Sequence, residues 1–413
     1  MNIYAFIIIL ALAGGYILEL ISDMLNIRSL KPEVPGDFKD IYDAHSYLKS
    51  QQYTRVNTRF GLVSNSFDLA VLMVFWFAGG FNYIDLMVRS LGYGAVGTGL
   101  LFIGLLMLFK TLLSLPFSLY STFVIEERFG FNKTTAATFM ADLAKGVLLA
   151  LVLGAPLMGL VLWFFEAAGG PAWLYCWIAV TLFMLFIQFI APAWIMPLFN
   201  RFKPLDDGEL RDAIMDYARS VDFSVENLFV IDGSKRSSKS NAFFTGFGRN
   251  KRIALFDTLI DGHSTAELVA ILAHEIGHYK KRHILQSMII GIIHMGLMLF
   301  LLSIFVSNKG LFDAFYMDNP SVYAGLVFFG ILFSPLEIIL SVLMNLFSRK
   351  NEYEADRFAV KTTGGSEDMV NGLKKLSVHN LSNLTPHPFY VFLNYSHPPL
   401  LERIRAIRDF SKA

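Results

Sequence analysis

The chain has 413 residues, 54% of them apolar and 17% charged, where an ordinary soluble domain carries about 25% charged residues. Its 35 basic and 34 acidic side chains nearly cancel, which excludes the basic stripe of a nucleic-acid binder, and no nucleic-acid partner is expected. So much apolar and aromatic surface also excludes a disordered chain.

In chain order, seven apolar runs are long enough to cross a bilayer, roughly 3–22, 62–81, 96–120, 145–166, 172–197, 285–306 and 321–347. The first lacks a basic leader and a small-residue cleavage site, so it reads as a retained span rather than a signal peptide. Lys and Arg gather in the odd-numbered connections: Arg28, Lys31, Lys39, Lys49, Arg55 and Arg59 follow the first span, while Lys309 stands alone after the sixth. The positive-inside rule then puts the N-terminus outside and the C-terminus in the cytoplasm. Asp68, Lys110, His294 and Glu337 fall inside spans, where charge either pairs between helices or lines a wet cavity. The single cysteine, Cys176 in the fifth span, is expected to pack inertly. It rules out an internal disulfide framework and leaves His and carboxylates as the available metal ligands.

Four segments follow: spans one to five with their loops (1–197), a polar segment (198–284), spans six and seven (285–347) and a polar tail segment (348–413). In the first polar segment Glu209 to Val221 has helical periodicity. Leu228 to Ile231 and Ile253 to Phe256 read as short strands, with an extended Ser240 to Gly246 and a turn at Gly248-Arg249-Asn250 between them, a small antiparallel sheet. Ser264 and Glu267 have the spacing of a capping box, so a helix is expected from Thr265 to at least Lys281.

That helix carries His274-Glu275-Ile276-Gly277-His278. Histidines four apart share a helix face and can hold one Zn²⁺, with Glu275 beside the remaining coordination position. Catalytic zinc usually takes three protein ligands and leaves one position for water. Just past the last span, Glu352 and Asp356 are again four apart; we take Glu352 as the third ligand and Asp356 as the acceptor that orients a ligand imidazole. Glu354 points elsewhere on that helix, which is expected to stop at Gly364-Gly365.

With Ile125 to Asn132, Pro197 to Asn200, Asn241-Ala242-Phe243, and Ser396-His397-Pro398-Pro399 with Glu402-Arg403 near the end added, the motifs run through nearly the whole chain. In this order they resemble the type 1 CAAX prenyl proteases, integral-membrane zinc endopeptidases related to the yeast a-factor converting enzyme. The resemblance implies a mainly α, polytopic fold, with seven helices forming a barrel around a water-filled chamber and a cytosolic zincin-like α+β metalloprotease domain. It assigns His274, His278 and Glu352 as ligands of one zinc ion, Glu275 as the base and Asp356 as the outer acceptor. It also assigns Asn241 and His397 to the substrate or the oxyanion. The implied substrate is a peptide or protein, prenylated or not, and the composition fixes no oligomeric state.

The rival readings are a broad-specificity endopeptidase for damaged membrane proteins and, in another class, a transporter or channel with a structural zinc. A closed structural site tends to use four protein ligands, often Cys, and broken inverted repeats are not evident despite Pro116, Pro156 and Pro335. With no lysine-pair retrieval signal and no Lys-Asp-Glu-Leu ending, the expected membrane is a bacterial inner membrane, the endoplasmic reticulum being the alternative.

Overall fold

The computed structural model describes residues 2–224, 227–245 and 252–412. Among them are seven helices long and apolar enough to span a bilayer: Ile3–Arg28, Ala44–Phe77, Ala95–Phe129, Ala136–Ala167, Ala172–Phe199, His283–Phe305 and Val322–Thr363. Each contains or closely overlaps an expected span, and several run well beyond the apolar run. The second begins at Ala44 because Asp43 caps it, accepting from the Ser46 amide at 2.9 Å. The third passes Pro116 and continues through a π turn at Ser121–Glu126. The seventh is a single 42-residue helix ended by Gly364 in the left-handed region at φ 76°. It crosses the 347/348 division unbroken, so the last span and the Glu352 segment are one rod.

The intramembrane charges pair across helices. Lys110 Nζ lies 2.6 Å from Asp68 Oδ1, and His294 Nε2 lies 3.2 Å from Glu337 Oε1. The Lys110 and Asp68 side chains are 55% and 38% exposed, while the His294 and Glu337 side chains are partly exposed with His294 Nε2 itself buried. At one end of the bundle Trp76 donates to the Ala314 carbonyl at 2.8 Å and stacks on Phe315. Cys176 is fully buried, in the core between the fourth, fifth, sixth and seventh spans.

The polar segments form a four-stranded sheet, β1 (Phe202–Pro204), β2 (Asn227–Ile231), β3 (Ala242–Thr245) and β4 (Arg252–Phe256), in the order β1-β2-β4-β3. The antiparallel expectation is corrected here: β2 and β4 pair in parallel, while β1–β2 and β3–β4 are antiparallel. The physical reason is that β3 lies between β2 and β4 in sequence but outside them in space, so the chain crosses over before returning. The turn expected at Gly248-Arg249-Asn250 lies outside the described residues. Helix Glu209–Ser220 packs Ile214, Tyr217 and Ala218 against Leu268, Leu272 and Ile276 of helix Thr265–Lys280. Helix Leu400–Phe410 buries Ile404 and Ile407 with Phe38, Tyr47 and Val370. Three stretches far apart in sequence therefore share one polar domain.

Candidate metal centre

Helix Thr265–Lys280 starts where its cap dictates. The Ser264 hydroxyl accepts from the Glu267 amide, and the Glu267 carboxylate accepts from the Ser264 amide at 2.8 Å. Lys375 adds a 2.8 Å bond to the same carboxylate. That start fixes the helical phase, and one turn separates His274 from His278, whose Nε2 atoms are 3.1 Å apart. The helix ends at Lys280 with Lys281 as its cap.

Gly277, between the two histidines, is what lets the seventh helix approach. A Cβ at this position would sit 3.2 Å from the Ala355 Cα and carbonyl oxygen and 3.1 Å from the Phe358 ring. With that face bare, Glu352 reaches both imidazoles: Oε1 is 3.3 Å from His278 Nε2 and Oε2 is 3.5 Å from His274 Nε2. One donor atom from each of the three residues lies within 4.8 Å of the others.

This set fits zinc. Ligands about 2.0–2.1 Å from a tetrahedral centre stand about 3.3–3.4 Å apart, and the imidazole–imidazole and imidazole–carboxylate separations here, 3.1 to 3.5 Å, bracket that distance. Glu352 Oε2 is also buried and makes no hydrogen bond, although the Arg403 guanidinium stands 3.4 Å away, so its lone pairs remain available to a metal ion. Two imidazole nitrogens and one carboxylate, with no thiolate, are the donors of a catalytic rather than a closed structural site.

Asp356 is fully buried and its Oδ1 lies 2.8 Å from His274 Nδ1. The Arg403 guanidinium holds Asp356 in bidentate fashion, Nε to Oδ2 at 2.9 Å and Nη2 to Oδ1 at 2.6 Å, and Nη1 lies 3.4 Å from Glu352 Oε2. Burial alone would push the His274 imidazole down, but the Asp356 and Glu352 carboxylates outweigh it and raise it to about 9. Arg403 was singled out in the sequence only as part of a terminal match. Its role is set by a contact 47 residues away, and no local spacing encodes it.

Glu275 is half-buried, and among the described residues its carboxylate makes no hydrogen bond or ion pair. His397 comes to the same place from the tail segment: Nε2 is 3.3 Å from Glu352 Oε1, Nδ1 is 3.1 Å from the Ser396 hydroxyl, and the side chain is 65% exposed. Among the described residues, the Asn241 side chain makes no hydrogen bond to this group. It stands just before β3, its Oδ1 accepting from the Ala242 amide at 2.9 Å. Glu354 is not among the three donors; its carboxylate contacts His283 and Lys350.

A family profile described as CAAX prenyl protease N-terminal, five membrane helices, matches residues 23–201, and one described as peptidase family M48 matches residues 204–411. The chain is 36% identical over 401 residues to CAAX prenyl protease 1 of Saccharomyces cerevisiae, covering 91% of this chain and 88% of that one. To the CAAX prenyl protease 1 homolog of Homo sapiens it is 33% identical over 425 residues, covering 92% and 89%. The crystal structure of S. mikatae Ste24p matches with a TM-score of 0.93 at 34% identity, over 98% of this chain and 99% of that one. By sequence, by fold and by the chemistry of its donors, the chain belongs to peptidase family M48, among the type 1 CAAX prenyl proteases, and is a multi-pass integral-membrane zinc metalloendopeptidase.

Proposed function

We propose that the chain removes the C-terminal tripeptide from prenylated CAAX proteins or peptides. The observation that carries this reading is the union, on one helix, of a membrane span with a metal ligand: a hydrolytic centre at the membrane face is where a lipid-tethered chain arrives. The substrate class also has the support of the relatives' printed names, CAAX prenyl protease 1 and its homologs.

His274, His278 and Glu352 hold the metal, and Asp356 keeps the His274 imidazole in the tautomer that offers Nε2. Bound zinc supplies a Lewis acid that acidifies a water molecule and polarises the scissile carbonyl. Glu275, one residue from His274 and uncommitted, takes the proton of the attacking water and passes it to the departing amine. His397 donates to the tetrahedral oxyanion, a contribution of about 3–4 kcal/mol for a donor of this kind. Asn241 acts with it once its side chain releases the Ala242 amide. β3 is an edge strand, and the substrate backbone adds to it as a further strand, which favours extended chains over particular side chains.

In this reading the segments 1–197 and 285–347 build the chamber, while 198–284 and 348–413 build the centre. The half-exposed Asp68–Lys110 and His294–Glu337 pairs support a water-filled interior, since hydrocarbon penalises such charges. The N-terminus lies outside and the zinc site on the cytosolic side. The membrane is a bacterial inner membrane, with the endoplasmic reticulum as the alternative that fractionation of the native cells distinguishes.

The direct test incubates the detergent-purified chain with a farnesylated CAAX peptide and its unprenylated twin, with and without a chelator, and maps the products by mass spectrometry. Chelator-sensitive cleavage before the last three residues of the prenylated peptide alone is expected. Equal cutting of both peptides would replace this reading with the broad-specificity endopeptidase.

A further inference from the structure

His274 has a carboxylate behind it in Asp356, whereas among the described residues no carboxylate touches the outer nitrogen of His278. That nitrogen, Nδ1, is instead 3.1 Å from Nδ1 of His283, with the two rings 75° apart. His283 Nε2 in turn lies 3.3 Å from Glu354 Oε2. His283 is 3% exposed, while Glu354 is half-exposed at the water edge. We propose that His283 and Glu354 are positioning residues for His278, a relay that supplies through a second imidazole the acceptor that Asp356 supplies directly to His274.

The argument is one of donors and acceptors, and it rests on the reading of His278 as a metal ligand through Nε2. A neutral imidazole that offers Nε2 to a metal carries its proton on Nδ1. Across the 3.1 Å contact that proton needs an acceptor, so His283 must present a bare Nδ1 and carry its own proton on Nε2. The Glu354 carboxylate, which when ionised can only accept, takes the hydrogen bond from that Nε2–H. Each N–H then meets one acceptor, and the chain of bonds has a single consistent direction. Without Glu354 nothing would hold the His283 proton on Nε2. In the other tautomer two N–H groups would face each other, and the His278 ring would turn away from the metal.

The backbone is arranged for this contact. Arg282, between the two helices, takes the left-handed conformation at φ 60°, which costs a non-glycine residue about 1–2 kcal/mol. That reversal brings His283, the first residue of the sixth span, back against His278 instead of continuing the helix past it. The relay thus joins the metal helix, the sixth span and the seventh span at one point.

The test measures zinc affinity by chelator competition on the full-length detergent-purified chain, alongside the visible spectrum of the cobalt(II)-loaded protein and the thermal unfolding of the metal-free protein. His283→Leu and Glu354→Ala are expected to lose about 10–100-fold in zinc affinity and to change the cobalt spectrum, with unfolding of the metal-free form unchanged for Glu354→Ala. His283→Asn, whose Oδ1 can accept where the His283 Nδ1 did, should recover most of the loss. Wild-type affinity in either His283→Leu or Glu354→Ala overturns the relay, as does a His283→Asn no better than His283→Leu. The ligand reading is tested separately by His278→Ala: loss of zinc there upholds it whatever the relay variants do, and retained wild-type affinity overturns both. Glu354 is half-exposed, so its variant keeps the test decisive should His283→Leu fail to fold.

Discussion

At the scale of single residues, the proposed mechanism assigns metal holding and proton transfer to different side chains, and substitution should separate the two. Glu275→Gln keeps the helix and all three donors, so full zinc content is expected with turnover down by about 10²–10⁴. Glu352→Ala removes a ligand and should lose the metal itself; elemental analysis showing full occupancy in that variant would remove Glu352 from the set. His397→Ala leaves the three donors in place, so zinc should stay while turnover falls by about 10²–10³, and unchanged turnover would end its role at the oxyanion. Of these residues, His274, Glu275 and His278 were legible because i, i+4 spacing on a capped helix is local information. Arg403 and His283 were not, since each acts through a partner brought close only by tertiary packing, as when Arg403 grips Asp356.

Among elements, the contact between helix Thr265–Lys280 and the seventh helix decides whether the donors meet. Gly277→Ala sets two effects against each other: about 1 kcal/mol gained in helix propensity, and about 1–3 kcal/mol lost as the new methyl presses on the Ala355 backbone. The net change is therefore a loss of about 0–2 kcal/mol, and the sensitive readout is metal. Opening this contact carries Glu352 away from the imidazoles, so zinc affinity should fall although no ligand was touched. The spans and the Ser264 start could be read from sequence because apolar runs and capping boxes are written in consecutive residues. The sheet could be read only in part. β1 is three residues long, too short to show alternation, and the parallel pairing of β2 with β4 follows from a crossover that strand patterns do not record.

For the whole molecule, the question is where water reaches. Lys110 sits mid-span yet half-exposed against Asp68, and Cys176 is fully buried. In a chain bearing Lys110→Cys, a small water-soluble thiol reagent should label position 110 in intact membranes and leave Cys176 untouched. Protection of position 110 would count against a water-filled interior. Sequence alone left these four intramembrane groups open between pairing and lining a cavity, because a span's apolar run does not reveal which face meets which neighbour. The structure supplies the partners, Asp68 with Lys110 and His294 with Glu337.

The unbroken seventh helix also acts as a measuring rod. Its 42 residues extend about 63 Å, twice the roughly 30 Å of a hydrocarbon layer, and Glu352 lies about 45 Å along it from Val322 at about 1.5 Å per residue. The reaction centre is therefore held at a set height, and a thinner bilayer that tilts the rod lowers that height. For a substrate anchored by its own lipid, the bond that reaches the centre is then chosen by distance from the membrane as much as by the residues flanking it.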